Sequence, residues 1–199
     1  MNFTFPAKIS PTILIAASLL LAGCKDAPDA NKPTAAAAPT TVSVAAVAAE
    51  AKGFSVGSAV SARTVYVFFD AQCPHCTALW EAAKPLKPQA RFVWIPVGIL
   101  NASSTAQGAT LLAAKDPVAA MDEHEASMTA KGGGISAGSA LDAQKADVAK
   151  NTELLTRFGF ASIPTIIGNH AETGALVTQE GALPTAALAN LLGLKVPAP

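Results

Sequence analysis

Hydrophobic and polar positions divide the chain into regions of different texture. Residues 12–21 form an apolar run, preceded by the positive charge of Lys8. Such a run suits the core of a signal peptide and falls short of the ~20 apolar residues of a spanning helix. From residue 25 to about residue 52 large hydrophobes nearly vanish, and alanine, proline and threonine take over. That composition predicts a flexible tether reaching roughly 30 Å on average. A helix over Ala45–Ala51 fits the alanine content, but nothing there would anchor it. The folded part is expected to start near Phe54. Thr64-Val-Tyr-Val-Phe-Phe69 is β-branched and aromatic and apolar on both faces, as in a buried central strand. Cys76–Lys84 reads as a helix with Leu79 and Trp80 placed for burial, and Pro85 and Pro88 mark its kink or end. Residues 91–97 read as a second apolar strand. The order strand, helix, strand calls for a parallel pair joined by a crossover.

Residues 102–158 read as mostly helical. Asp116-Pro117 is a helix start, with Asp as cap and Pro at the first helical position. Met121, Met128 and Ala120 are candidates for its inner face. Gly132-Gly133-Gly134 breaks the segment and predicts an exposed, mobile loop. Ser139 with Asp142 resembles a capping box. Asn151 is read as the cap of a further helix that buries Leu154, Leu155 and Phe158 and ends before Gly159. Ile166-Ile167 and Leu176-Val177 flank a polar turn and predict a β-hairpin. Pro184 opens a last helix through Leu191, with Gly193 after it. The pattern gives an α/β domain with a helical insertion at about residues 102–150.

Composition narrows the function classes. Of 199 residues, 51% are hydrophobic and 14% charged, which is ample for a core and excludes a disordered chain. The formal net charge is zero, so no basic excess points to nucleic acid as a partner. Leu21-Ala22-Gly23-Cys24 at the end of the apolar run resembles a bacterial lipobox, in which the cysteine thiol carries lipid. Residues 1–23 are therefore expected to be a lipoprotein signal peptide, residues 24–52 a tether, and residues 53–196 the folded domain. Cys24 is assigned to lipidation, and Lys25 after it favours the outer membrane by resemblance to enterobacterial sorting. Of the three cysteines, Cys73 and Cys76 remain, too few for a disulfide framework. In an exported protein they face an oxidising compartment.

Cys73-Pro74-His75-Cys76 at the first turn of a helix has a physical consequence. Unpaired backbone N–H groups and the positive end of the helix dipole stabilise a thiolate there. Cys73 would attack, and Cys76, one turn further in, would resolve the mixed disulfide. Pro74 suits a position that needs no N–H. His75 adds a donor and charge beside the sulfur. The same spacing also serves zinc, but structural zinc takes four ligands, and His124 and His170 stand in no paired motif. Both read as solvated or capping histidines. No metal site and no cofactor is expected.

Residues 66–70 (Tyr-Val-Phe-Phe-Asp) followed by the Cys73–Cys76 motif and Leu79-Trp80 resemble the catalytic domain of the DsbG/DsbC group of periplasmic thiol:disulfide interchange proteins, in the thioredoxin superfamily. Lys115-Asp116-Pro117, Glu125-Ala126-Ser127 and Gly181-Ala182-Leu183-Pro184 are also similar to that group. The resemblance implies a thioredoxin-like fold. It also implies a cis peptide bond at Ile163-Pro164, with the Ile163 backbone pairing with substrate. The chain departs from the group in three places. It carries only a tether where the group has a dimerisation domain, so a monomer is expected. Its dipeptide is that of DsbA, and Ile163 replaces the usual threonine. Val67 also stands where thioredoxin and DsbA bury an acid, while Asp70 matches the DsbG group as a strand-end cap. The expected activity is disulfide exchange with, or reduction of, cysteines in exported proteins, with a DsbD-like electron donor. Two alternatives stay open: a DsbA-like oxidase with a DsbB-like acceptor, or a copper or cofactor-assembly binding module of the same fold.

Overall fold

The computed structural model describes residues 41–198. Cys24, the lipobox and most of the expected tether lie outside the described residues. The described chain runs α1 (Val44–Glu50), β1 (Phe54–Gly57), β2 (Thr64–Asp70), α2 (Pro74–Ala83), a 3₁₀ turn (Lys84–Leu86), β3 (Arg91–Val97), α3 (Ala102–Ala113), α4 (Pro117–Thr129), α5 (Asp142–Arg157), β4 (Thr165–Asn169), β5 (Leu176–Glu180) and α6 (Thr185–Leu192). Five strands form one sheet in the order β1-β3-β2-β4-β5. β2 and β3 are parallel, as the crossover through α2 requires, with Val67 opposite Trp94. β4 runs antiparallel to β2 and forms the expected hairpin with β5. β1 pairs antiparallel on the outer side of β3.

Strand side chains alternate between two cores, which explains why β2 and β3 are apolar throughout. Val65, Val67 and Phe69 of β2 and Phe92 and Trp94 of β3 face the layer that contains both cysteines, Leu79 and Trp80 of α2, Met121 of α4 and Leu188 of α6. Tyr66, Phe68, Ile95, Val97 and Ile167 face the other layer, where Val47 of α1 and Leu154 and Leu155 of α5 cover them. Phe54, Phe69, Trp80 and Trp94 interlock edge to face, with centroids 4.9–6.5 Å apart, the favoured arrangement of ring quadrupoles.

Four expectations are corrected. First, the tether was expected to run to residue 52, with no anchor for a helix. Instead α1 is docked. Ser43 caps it by accepting the Ala46 N–H at 3.0 Å, Val47 is fully buried, and Glu50 pairs with Arg157. Second, Asn151 is inside α5 and caps nothing. Its amide is buried, accepts the Lys52 N–H at 2.9 Å and donates to the carbonyls of Lys52 at 2.8 Å and Pro96 at 3.0 Å. Third, Ser139 and Asp142 form no capping box: α5 begins after Leu141 without a side-chain cap. Fourth, the triple glycine is exposed at Gly132 and Gly133 as expected, but its carbonyls are tied to the domain. The Gly133 carbonyl accepts from Gln72 and Gln107, and the Gly134 carbonyl accepts from Ser127. The Asp116 cap of α4 is as expected, and Gly193 ends α6 at φ +65, a conformation that favours glycine.

Candidate redox site

β2 ends at Asp70, whose buried carboxylate organises the turn ahead of α2. Its Oδ1 accepts the Gln72 N–H at 2.8 Å, and its Oδ2 accepts the N–H groups of Ile99 at 2.7 Å and Leu100 at 3.0 Å. One side chain thus fixes two loops, the strand-end role expected of it. Cys73 then occupies the N-cap of α2 with extended backbone, and Pro74 takes the first helical position. The N-cap of α2 receives no side-chain hydrogen bond, so the first-turn N–H groups are left for the Cys73 sulfur.

The two sulfurs differ sharply. Cys73 is 6% exposed and Cys76 fully buried; both are free thiols. The Cys73 thiol is lowered from the ordinary 9.0 to about 6. The largest cause is a hydrogen bond from the Cys76 side chain, which outweighs desolvation; the backbone N–H groups of Cys76 and His75 add to it, and the charge of His75 contributes least. Cys76 is pushed far up, first by burial and then by donating to Cys73. The helix N–H groups and His75 contribute as expected, but the partner thiol, which the sequence did not point to, contributes most, and His75 is exposed.

The other predicted residues converge on this point. The Ile163-Pro164 bond is cis, and the Ile163 carbonyl lies 3.9 Å from the Cys73 sulfur. His170 is remote from the pair, near α6, where its Nδ1 accepts turn N–H groups.

His124, expected to be a solvated or capping residue, is fully buried under the cysteine turn. Its Nε2–H donates to the Ala71 carbonyl at 2.6 Å, and its Nδ1 accepts the Ile135 N–H at 3.2 Å. These two bonds require a neutral ring, and burial lowers its proton affinity to match. Gly134, at φ +88, passes so close to this ring that a Cβ there would collide with it. Next to it, Glu125 is 3% exposed, and its Oε2 has no hydrogen-bond partner. Burial raises its carboxyl to about 7, against the Thr77 side chain. Gln107 completes the surround, accepting from Gln72 at 2.5 Å and donating to Gly133 and Ile135. The sequence placed none of the three beside the cysteines. The available signal was a polar pair, His124-Glu125, inside the helical stripe Met121…Met128. Among the described residues no three His, Cys, Asp or Glu side chains are grouped to hold a metal ion.

Comparison with known proteins gives the same frame. The chain is 37% identical over 142 residues to the thiol:disulfide interchange protein DsbG of Pseudomonas aeruginosa, covering 69% of this chain and 54% of that protein. It thus spans about half the length of that relative. Among solved structures, the catalytic domain of Proteus mirabilis ScsC superposes with a TM-score of 0.55 at 16% identity, covering 75% of this chain and 96% of that one. A thioredoxin-like oxidoreductase from Silicibacter pomeroyi DSS-3 gives 0.56 at 21% identity, with coverage of 76% and 96%. Residues 57–194 match the family described as thioredoxin-like domain, and with the sheet, the paired cysteines and the cis proline in place, the chain belongs to that family.

Proposed function

We propose that this chain is a thiol:disulfide oxidoreductase that exchanges disulfides with cysteines of exported proteins, held on the periplasmic side of a membrane by lipid on Cys24. The observation that carries the reading is the asymmetry of the pair: a Cys73 thiol lowered to about 6 beside a fully buried Cys76. At neutral pH Cys73 is mostly thiolate, the attacking species in disulfide exchange. The Cys73 sulfur attacks a substrate disulfide, and the substrate's other sulfur leaves with the electron pair. Cys76 then loses its proton and attacks Cys73, expelling the substrate thiolate and leaving Cys73–Cys76 oxidised. Pro74 and His75 shape the turn between the two sulfurs. The backbone of Ile163 and Pro164 offers an edge for an extended substrate strand. The similarity to DsbG supports this activity and favours the reducing direction, with a DsbD-like donor.

One observation favours the opposite direction. Stabilising the thiolate stabilises the reduced pair and makes the disulfide a stronger oxidant, which suits a DsbA-like oxidase. Trapping thiols in living cells by alkylation separates the two: a mostly reduced pair sinks the oxidase reading, and a mostly oxidised pair sinks the reductase reading. For the activity itself, Cys76→Ser is expected to accumulate mixed disulfides through Cys73 with exported proteins. Absence of such adducts, together with no insulin reduction by the native chain, would overturn the proposal.

A further inference from the structure

We propose that Glu125, on the insertion helix α4, accepts the proton that Cys76 must lose to resolve the mixed disulfide. The inference deepens the thiol–disulfide reading above and rests on it.

The one acid of β2, Asp70, has its carboxylate taken up by the N–H groups of Gln72, Ile99 and Leu100, and Val67 faces the cysteine layer. Glu125 reaches the same layer from a different element. It sits one turn along α4 from Met121, which packs in the cluster that holds both cysteines. Two anchors in the turn before it hold α4 in place. Asp122 accepts the Trp80 indole N–H at 2.8 Å, tying α4 to α2. His124 donates to Ala71 at 2.6 Å, tying α4 to the turn before Cys73. The Glu125 carboxyl is buried against Thr77 of α2, with Oε2 unpartnered. A buried polar atom without a partner carries a desolvation cost and calls for an explanation.

The electrostatics supply the timing. From α2, Glu125 faces Thr77, Glu81, Lys84 and the Cys73 sulfur; on its own helix its neighbours are Asp122 and His124. In the reduced protein burial raises the Glu125 carboxyl most, and the Cys73 thiolate raises it further. When Cys73 enters a mixed disulfide its charge is gone, and Glu125 ionises more readily in the intermediate that needs a base. The S–H proton of Cys76 passes to the Glu125 carboxylate. The Cys76 sulfur then bonds to the Cys73 sulfur, the bond to substrate breaks, and its electron pair leaves on the substrate sulfur. Conversely, a charged Glu125 disfavours a Cys76 thiolate, so proton transfer and bond formation are coupled.

The test uses the reduced chain and 5,5′-dithiobis(2-nitrobenzoate) in stopped flow. The first thionitrobenzoate released reports attack by Cys73, and the second reports resolution by Cys76. Glu125→Gln is expected to leave the first phase unchanged and to slow the second by ~10²-fold at pH 7, the usual scale of general base catalysis. It should also abolish the inflection that Glu125 gives the second phase, expected below about 7 because the mixed disulfide carries no Cys73 charge, and Glu125→Asp should keep part of the rate. A second phase unchanged in rate and pH profile would overturn the role of Glu125, as would equal slowing of both phases. A native protein that releases only one thionitrobenzoate per chain would instead overturn the redox reading of Cys73 and Cys76.

Discussion

At the scale of single residues, the Cys73 thiolate owes most to one atom, the Cys76 sulfur that donates to it. Cys76→Ala should therefore move the pH midpoint of Cys73 alkylation upward from about 6. His75→Ala should move it less, because the His75 charge is the smallest contributor. Iodoacetamide rates measured across pH 4–10 check the order, and a larger shift from His75→Ala would refute it. Cysteines, Pro74 and Asp70 were legible in the sequence because they act within a few residues of one another. The roles of His124 and Glu125 were not. They depend on α4 returning over α2 after 40 residues or more, and no local pattern encodes that approach. A histidine in isolation reads as a surface residue; only the Ala71 carbonyl and the Ile135 N–H make it a buried strut.

At the scale of elements, periodicity located β2, β3, the β4–β5 hairpin and most helices, since each has a dense apolar signature. α1 escaped it. Its apolar contact rests on Val47 within an alanine-rich stretch, and the chain leaving it is gripped by Asn151, some hundred residues away. The residue that looked like a helix cap is spent on that long-range contact. Val47→Ala removes two buried methyl groups, so it should destabilise the domain by about 1–2 kcal/mol. Urea unfolding checks this. A chain starting at residue 53 should lose more than the point variant, because it also gives up the Asn151 and Arg157 contacts. Equal stability of the two forms would show that α1 is not part of the folded unit.

At the scale of the whole molecule, the α/β class and the helical insertion followed from element order, whereas the place of four-residue β1 on the outer edge did not. The sheet separates a redox layer from a supporting layer, and the redox layer couples stability to pH. The Cys73 thiol is depressed in the folded reduced protein, so its contribution to stability is complete above 9.0 and is lost as pH falls through about 6. The difference in melting temperature between reduced and oxidised protein should shift toward the reduced form as pH rises from 6 to 9. Calorimetry of both forms measures it, and a flat difference would contradict the lowered thiol.

The interlocked rings have a spectroscopic consequence. The chain has only two tryptophans; Trp80 and Trp94 lie 4.9 Å apart in the layer that holds both sulfurs. All indole emission thus arises beside the redox pair, shielded from water. A disulfide quenches an excited indole by accepting its electron, so oxidation should dim the native fluorescence and reduction restore it. The protein carries a built-in optical readout, and its poise against glutathione can be titrated without a label.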